Sequence, residues 1–311
     1  MIKRRNILLT SLGLLGIAIF LLLDPNTRAS QAQGAILYVA PGGDCGGASP
    51  CYATIQGAVD AASNGDTIKV AQGTYTSIGS MVVYINKALA VRGGYATSDW
   101  STSNPDARPT VIDAENVPGR RGVYVDGTGV SAITLSELTI QRGNAQNSNG
   151  GGIYVITGTV VVQNSKVLDS TATGYPTGQG GGVYVGGGSV TLSGNTFQGN
   201  SVSYHGGAVA IVDGNLSISN NTFQSNGATN GPGDFYGGGG LYIGDGSATV
   251  SGNSFVSNWT GSYGGAIYIA KGKAILSNNS IQTNSAGFGG GGVFVDNRGA
   301  VVTMNTNTCN V

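Results

Sequence analysis

The sequence predicts an all-β fold: a single-stranded right-handed parallel β-helix, a solenoid of stacked coils with a short N-terminal capping helix. Two observations predict it. Charged residues are only 10% of the 311-residue chain, while 40% is hydrophobic and 55 residues are Gly, as expected for strands joined by many tight turns. A Gly-Gly or Gly-Ala pair followed by an apolar triplet also recurs six times, beginning at Gly151, Gly181, Gly207, Gly239, Gly265 and Gly291.

The repeats are separated by 30, 26, 32, 26 and 26 residues, counted between the second residues of the pairs from Gly152 onward. The basic unit is therefore 26 residues, with extra loop at 171–179 and 227–237. Taking the second residue of each pair as position 0, apolar residues stand at positions 1, 3, 8 and 10 and predict two short strands that point these side chains inward. Recurrence of one residue type at one position is typical of coils stacked ~4.8 Å apart.

Three further positions carry one residue type in nearly every unit. Position 11 is a polar outward column, and position 15 is an inward stack of Phe197, Phe223, Phe255 and Ile281. Asn fills positions 13 and 18, where side chains in register can form amide ladders along the axis. The two predicted ladders are Asn195, Asn221, Asn253, Asn279 and Asn305, and Asn200, Asn226, Asn258, Asn284 and Asn310.

The N-terminal part predicts export and a cap. Three basic residues precede an uncharged apolar run of 17 residues, Ile7 to Leu23, so residues 1–32 form either a cleaved signal peptide or a retained anchor, the only membrane contact expected. The protein is then extracytoplasmic, secreted or at the cell surface. Residues 33–121 are predicted to hold the cap and the first irregular coils, and residues 122–311 the regular coils. The expected elements before residue 121 are a helix over Ala53–Ala62 and strands at Thr67–Ala71, Met81–Ile85, Leu89–Arg92 and Thr110–Asp113.

Charge and cysteine usage narrow the partners. Without residues 1–32 the chain carries 11 basic and 14 acidic residues and no charge run, which argues against nucleic acid as a partner. Cys45 and Cys51 bracket a short Gly/Ser/Pro loop and are predicted to form a disulfide after export, with a metal site as the alternative. Cys309 is then a free thiol.

Two family resemblances follow from these motifs. The segments 53–56 (ATIQ), 73–75 (GTY) and 85–89 (INKAL) resemble the N-terminal cap and first coil of pectin-lyase-like β-helix proteins. The Gly-Gly openings, together with Phe-x-x-Asn as in Phe197 and Asn200, resemble the polymorphic membrane protein repeat of surface autotransporters. The first resemblance implies a polysaccharide lyase or hydrolase, the second implies an adhesin, and both imply export.

The residues themselves predict no catalytic site. A polysaccharide hydrolase needs paired carboxylates, and a lyase needs an acidic calcium cluster with a basic side chain, yet no Glu follows Glu137. Asp213 and Asp245 share position 5 in adjacent units, which fits either a weak Ca²⁺ site or ordinary turn chemistry. His205, the only His, is predicted to be solvated beside Tyr204. The favoured function is a binding, adhesion or structural module without a cofactor; a degenerate or active lyase or hydrolase is the alternative.

The best candidate binding site is the outward column at position 2. Exposed aromatic side chains in a row can stack on the sugar rings of a polysaccharide or on another surface protein. The alternative is that they stack on one another and stiffen the sheet. The column contains Tyr124, Tyr154, Tyr184, Tyr242, Tyr268 and Phe294, interrupted by Ala210.

Two minor expectations remain. Hydroxyl pairs at positions 9 and 11 form ranks over three units, as in ice-binding β-helices, until Ile275 and Val301 interrupt position 9. In the last unit Asn307 falls in the Phe slot and no capping segment follows. Its open strand edges are expected to favour self-association, unless the chain is a shortened form of a longer protein.

Overall fold

Parallel strands wind the chain into stacked coils, as the repeat predicts. The computed structural model describes residues 34–130, 132–174, 177–229 and 237–310, so the predicted signal or anchor at 1–32 lies outside the described residues. No helix within these ranges is long and apolar enough to cross a membrane.

The N-terminal elements resemble the predicted ones with small shifts. Helix α1 starts after Thr54, whose hydroxyl accepts a hydrogen bond from the Gly57 N–H, and it is shorter at both ends than the predicted Ala53–Ala62. The predicted strand at Leu89–Arg92 begins one residue later and continues to Tyr95. The elements are β1 (Ile36–Val39), a 3₁₀ turn (Pro41–Gly43), β2 (Cys51–Tyr52), α1 (Ile55–Ala61), β3 (Thr67–Ala71), β4 (Gly73–Tyr75), β5 (Met81–Ile85), β6 (Ala90–Tyr95), β7 (Thr110–Asp113) and β8 (Arg121–Val125).

Each regular coil but the last contains four strands, two more than the alternation pattern predicts. The additional strands are the short ones that carry the Phe slot and the residues after the second Asn. In chain order they are β9 (Ala132–Ser136), β10 (Thr139–Gln141), β11 (Asn144–Gln146), β12 (Ile153–Val155), β13 (Thr159–Gln163), β14 (Lys166–Leu168), β15 (Thr171–Thr173), β16 (Val183–Val185), β17 (Ser189–Ser193), β18 (Thr196–Gln198), β19 (Ser201–Val202), β20 (Val209–Ile211), β21 (Asn215–Ser219), β22 (Thr222–Gln224), β23 (Gly227–Ala228), β24 (Leu241–Ile243), β25 (Ser247–Ser251), β26 (Ser254–Val256), β27 (Trp259–Thr260), β28 (Ile267–Ile269), β29 (Lys273–Ser277), β30 (Ser280–Gln282), β31 (Ser285–Ala286), β32 (Val293–Val295), β33 (Val301–Asn305) and β34 (Thr308–Asn310).

Equivalent strands of successive coils pair in parallel and form four sheets. An 8-stranded sheet (β5 to β32) carries the aromatic position, and an 11-stranded sheet (β2 to β33) carries the second predicted strand. A 9-stranded sheet carries the Phe slot, and a 6-stranded sheet the short last strand. The aliphatic side chains at positions 1 and 3 of the repeat are buried in every coil but the last, so the core lies between the sheets as predicted.

A turn geometry that recurs from coil to coil explains the third Gly that precedes several of the Gly pairs. The residue before each pair is a Gly with a φ of 64–71° in all six coils, the left-handed region that other residues rarely adopt. At Gly206 a Cβ would also lie 2.3 Å from the Val209 carbonyl oxygen. The turn that leads into the aromatic strand therefore requires Gly for two reasons, the positive φ and the lack of space for a Cβ. These positions are Gly150, Gly180, Gly206, Gly238, Gly264 and Gly290.

Both Asn ladders form inside the turns. From Asn195 to Asn279 and from Asn200 to Asn284, the backbone N–H and the side-chain Nδ2 of each Asn donate to Oδ1 of the next, at 2.8–3.1 Å. Each Nδ2 also donates to a strand carbonyl of the preceding coil, as Asn226 does to Phe197 at 2.9 Å. The ladders satisfy buried amides that no strand pairing reaches.

The last coil departs from the predicted register. Lys273 pairs with Val301, 28 residues on, because the turn after β32 is two residues longer than in the five preceding coils. Asn307 therefore continues the first ladder, with the Asn279 N–H donating to its Oδ1 at 3.0 Å, and Cys309 stands opposite Ile281 in the Phe slot. The predicted ladder places of Asn305 and Asn310 are wrong, since both lie in strands opposite Ser277 and Gln282, and Thr303 replaces Val301 at position 9.

The cap is held by one disulfide and one lysine. Cys45 and Cys51 are bonded, which confirms the predicted pair, and Cys309 is a free, exposed thiol. The Trp100 indole N–H donates to the Cys45 carbonyl at 3.0 Å, which ties the disulfide loop to the segment after β6. Lys87 Nζ donates to three carbonyls at the end of α1, at 2.7–3.0 Å, and so satisfies groups that a helix terminus leaves open.

Replacing Phe223 by Ala should lower the free energy of unfolding by about 3–5 kcal/mol, because its ring is fully buried between two others. The ring centroids of Phe197 and Phe255 lie 4.9 and 4.5 Å from it. Urea unfolding followed by circular dichroism measures the loss. The matched control is Phe288→Ala, whose ring is 72% exposed and should cost less than about 1 kcal/mol. An equal loss in both variants would contradict the inward stack.

Candidate aromatic binding face

The position-2 column lies on the outer side of the 8-stranded sheet and includes one ring that the repeat pattern missed. Tyr84 of β5 stands in register with Tyr124, and their ring centroids are 5.7 Å apart. Tyr124 and Tyr154, and Tyr154 and Tyr184, stack at 5.0 Å. All four side chains are half-buried, and we call Tyr84, Tyr124, Tyr154 and Tyr184 the aromatic face. Tyr84 escaped the pattern because its coil lacks the Gly pair.

A guanidinium lies on this face. The Arg121 side chain is placed with its Cζ 5.5 Å from the Tyr124 ring centroid and 5.2 Å from that of Tyr154. Its Nη2 donates to the Ser148 hydroxyl at 2.9 Å and to the Asn149 carbonyl at 3.3 Å. Burial lowers the pKa of the guanidinium, and among the described residues no carboxylate lies within 4.0 Å of it. Arg121 is therefore a half-buried cation without an opposite charge beside it in the described part of the chain.

Sequence reasoning missed Arg121, although a signal was available. Arg121 immediately precedes the position-0 residue of its coil, Gly122. The two following coils carry Gly at that place, Gly151 and Gly181. Its side chain starts at the first residue of β8 and reaches across the neighbouring coil to the turn at Ser148, which positions it above the tyrosines. The available signal was Arg121 itself, which stands where the two following coils have Gly.

In the second half of the column, the imidazole of His205 packs against the aromatic rings. This ring stacks on Tyr242 at 4.0 Å, where the register places Ala210 rather than a ring, and the Tyr204 ring meets it edge-on at 4.2 Å. His205 is only 7% exposed, so the prediction that it is solvated is wrong. Burial, together with the nearby charge of Arg298, lowers the pKa of the imidazole to about 3. His205 is therefore a neutral packing residue at pH 7.

Tyr268 is also internal, which corrects the prediction that it belongs to an exposed column. Its ring is fully buried between Tyr242 and Phe294, with centroids 5.6 and 5.4 Å away, and its hydroxyl donates to Asp296 Oδ2 at 2.7 Å. Arg298 Nε donates to the same oxygen at 2.7 Å. Burial raises the pKa of the Asp296 carboxyl, but these two hydrogen bonds outweigh burial and hold the pKa below its usual range.

The predicted column thus contains two different surfaces. The rings stack on one another throughout, as the structural alternative predicts, and Tyr242, Tyr268 and Phe294 are held in a packed cluster with His205. Tyr124, Tyr154 and Tyr184, with Tyr84, keep exposed ring surface beside a cation. The first half is therefore the candidate binding surface.

Asp213 and Asp245 occupy equivalent places after β20 and β24, as the repeat predicts, and both are exposed. The Asp213 carboxylate accepts a hydrogen bond from the Gly214 N–H at 2.6 Å, which is ordinary turn chemistry. Lys271 Nζ lies 4.0 Å from Asp245. Within the described ranges no three His, Cys, Asp or Glu side chains group closely enough to hold a metal ion. The Ca²⁺ site remains a prediction.

The neutral His205 makes stability depend on pH. A buried imidazole facing Tyr204, Tyr242, Tyr268 and the cationic Arg298 protonates only near pH 3, whereas in the unfolded chain its pKa is about 6.5. Its contribution is present above pH ~6.5 and is lost as pH falls toward 3. Between pH 7 and 4 the wild type should lose on the order of 2–3 kcal/mol more than His205→Phe, measured by urea unfolding. Parallel pH profiles for the two proteins would contradict this placement of His205.

A protein-family model agrees with this fold. The family model described as right-handed β-helix region matches residues 121–310. A solved structure of a rhamnogalacturonan lyase is similar over 87% of both chains, with 13% sequence identity and a TM-score of 0.33. No curated protein sequence matches the chain.

Proposed function

The chain belongs to the right-handed β-helix family, and we propose that it is an exported cell-surface module that binds an acidic polysaccharide along its aromatic face. The N-terminal sequence pattern supports export. The stacked coils supply a rigid row of tyrosines at strand spacing, ~4.8 Å, which suits an extended polymer better than a compact ligand. The observation that carries the proposal is the position of Arg121.

Arg121 favours an acidic sugar over a neutral one. A partly desolvated cation gains when an anion approaches, because burial has already removed part of its hydration. A sugar carboxylate can accept hydrogen bonds from the planar guanidinium, and such charge-assisted bonds are roughly twice as strong as neutral ones. The flanking rings of Tyr124 and Tyr154 offer apolar faces on which the pyranose ring can stack. One cluster of side chains can thus bind both the carboxylate and the pyranose ring of a uronic acid.

Polygalacturonate is the probe for this site. Affinity electrophoresis in gels that contain polygalacturonate should retard the wild type, and Arg121→Gln should weaken binding at least about tenfold through loss of the charge-assisted bonds. Arg121→Lys should restore only part of the affinity, since Lys keeps the charge but not the planar fork. Retardation should also fall as salt is raised.

Lys166→Gln is the matched control, because it removes one positive charge from the 9-stranded sheet, where Lys166 Nζ donates to the exposed Asp106 at 3.0 Å. It should bind polygalacturonate as the wild type does. Equal retardation of Arg121→Gln and wild type would refute the proposal. Release of unsaturated sugars from the same polymer would instead assign the chain to the polysaccharide lyases.

A further inference from the structure

A second surface, on the outer side of the 11-stranded sheet, carries hydroxyl side chains in register. Positions 9 and 11 of three adjacent strands, β17, β21 and β25, present a Ser or Thr at every place. Each hydroxyl stands opposite another hydroxyl of the next coil, one strand spacing or ~4.8 Å away. We call these six residues the hydroxyl face: Thr191, Ser193, Ser217, Ser219, Thr249 and Ser251.

These hydroxyls are not used by the fold. Across the described residues, none of the six side chains donates or accepts a hydrogen bond within the protein, and all are half-buried or exposed. The hydroxyls in the turns behave differently, since Ser165 and Ser170 donate to strand carbonyls at 2.9 and 3.0 Å. The hydroxyl face therefore has its full hydrogen-bonding capacity available to a ligand.

A groove at the edge of this face runs along the helix axis; Ser217 and Thr249 of the hydroxyl face line it, together with Ser189, Asn215 and Ser247 two residues earlier in each strand. It encloses about 540 Å³ and crosses β17, β21, β25, β29 and β33, a length of about 19 Å at the usual strand spacing. Its floor includes Ser217, Thr249 and Thr303 together with Ile275, which is 48% exposed, and Val301, which is 59% exposed. The groove thus combines hydroxyl side chains from β21 and β25 with exposed apolar side chains from β29 and β33.

The charge of the groove separates it from the aromatic face. No carboxylate lines it, and its one charged residue is Lys273, which is exposed and keeps its hydration, unlike the half-buried Arg121. A ligand that fits has many hydroxyl groups for the Ser and Thr columns and apolar ring faces for Ile275 and Val301. An extended neutral polysaccharide has both. Ice needs a flat, uninterrupted rank of hydroxyls, and the concave shape together with Ile275 and Lys273 disfavours it.

We propose that this groove is a second binding site, for an extended neutral polysaccharide, separate from the acidic-polysaccharide site on the 8-stranded sheet. A chain laid along the axis would meet polar side chains in three successive coils: Ser189 in β17, Asn215 and Ser217 in β21, and Ser247 and Thr249 in β25. The inference does not depend on Arg121 or on the aromatic face.

The test is affinity electrophoresis in gels containing hydroxyethylcellulose or a soluble β-1,3-glucan. The wild type should be retarded in at least one of them, and the double variant Ser217→Ala/Thr249→Val should lose affinity about fivefold or more for each hydroxyl removed. Both substitutions leave the backbone and the inward side chains untouched. Thr222→Val, on the outer side of the 9-stranded sheet, removes the same group elsewhere and should bind as the wild type does.

Arg121→Gln should also bind the neutral glucans normally, which separates this site from the proposed acidic one. Unchanged affinity of the double variant, or no retardation of the wild type in either neutral gel, overturns the inference. Freezing-point hysteresis that the double variant loses would assign the face to ice instead. Matching unfolding curves of the variants and wild type ensure that a loss of binding reflects the groove.

Discussion

The register between coils is the constraint on which the rest of the structure depends. Strand pairing alone fixes coils loosely, because parallel ladders of three to five residues can slip. The buried Asn ladders prevent this, since each amide must meet both the Asn of the next coil and a strand carbonyl of the preceding one. A slip by one residue would leave several buried polar groups without partners at once and turn every strand inside out. The ladders thus convert a sequence repeat into columns of aligned side chains.

Alignment makes departures from the repeat the informative positions. Arg121 stands where the next coils have Gly, and it becomes a cation on a row of tyrosines. Ala210 replaces a ring, and His205 fills the gap against Tyr242. Asp296 lies in the extended turn of the last coil and accepts a hydrogen bond from the Tyr268 hydroxyl. Regular coils supply the scaffold, and the exceptions give each face of it a different chemistry.

The fold could be predicted from the sequence because residue types that recur at a fixed spacing occupy equivalent places in successive coils. The inward positions, the Phe223 stack, the two ladders and the Cys45–Cys51 bond could all be predicted from residue type and spacing. Individual side chains outside the repeat could not. Whether His205 is solvated depends on loop packing, and periodicity contains no information about loops. The predicted register of the last coil is wrong because an insertion after Val295 moves Asn307 and Cys309 by two positions relative to the preceding coil. The types of residue in this segment do not reveal the insertion.

The most direct test of this constraint is the free energy of unfolding of Asn226→Ala, measured by urea denaturation beside Asn215→Ala. Asn226 is buried, and its removal takes a hydrogen-bond partner away from the Phe197 carbonyl and from the ladder groups of Asn200 and Asn258. Asn215, in contrast, is exposed. If the ladders hold the register, Asn226→Ala should lose about 3 kcal/mol or more and Asn215→Ala less than about 0.5 kcal/mol. Wild-type stability in both variants would show that strand pairing alone sets the register.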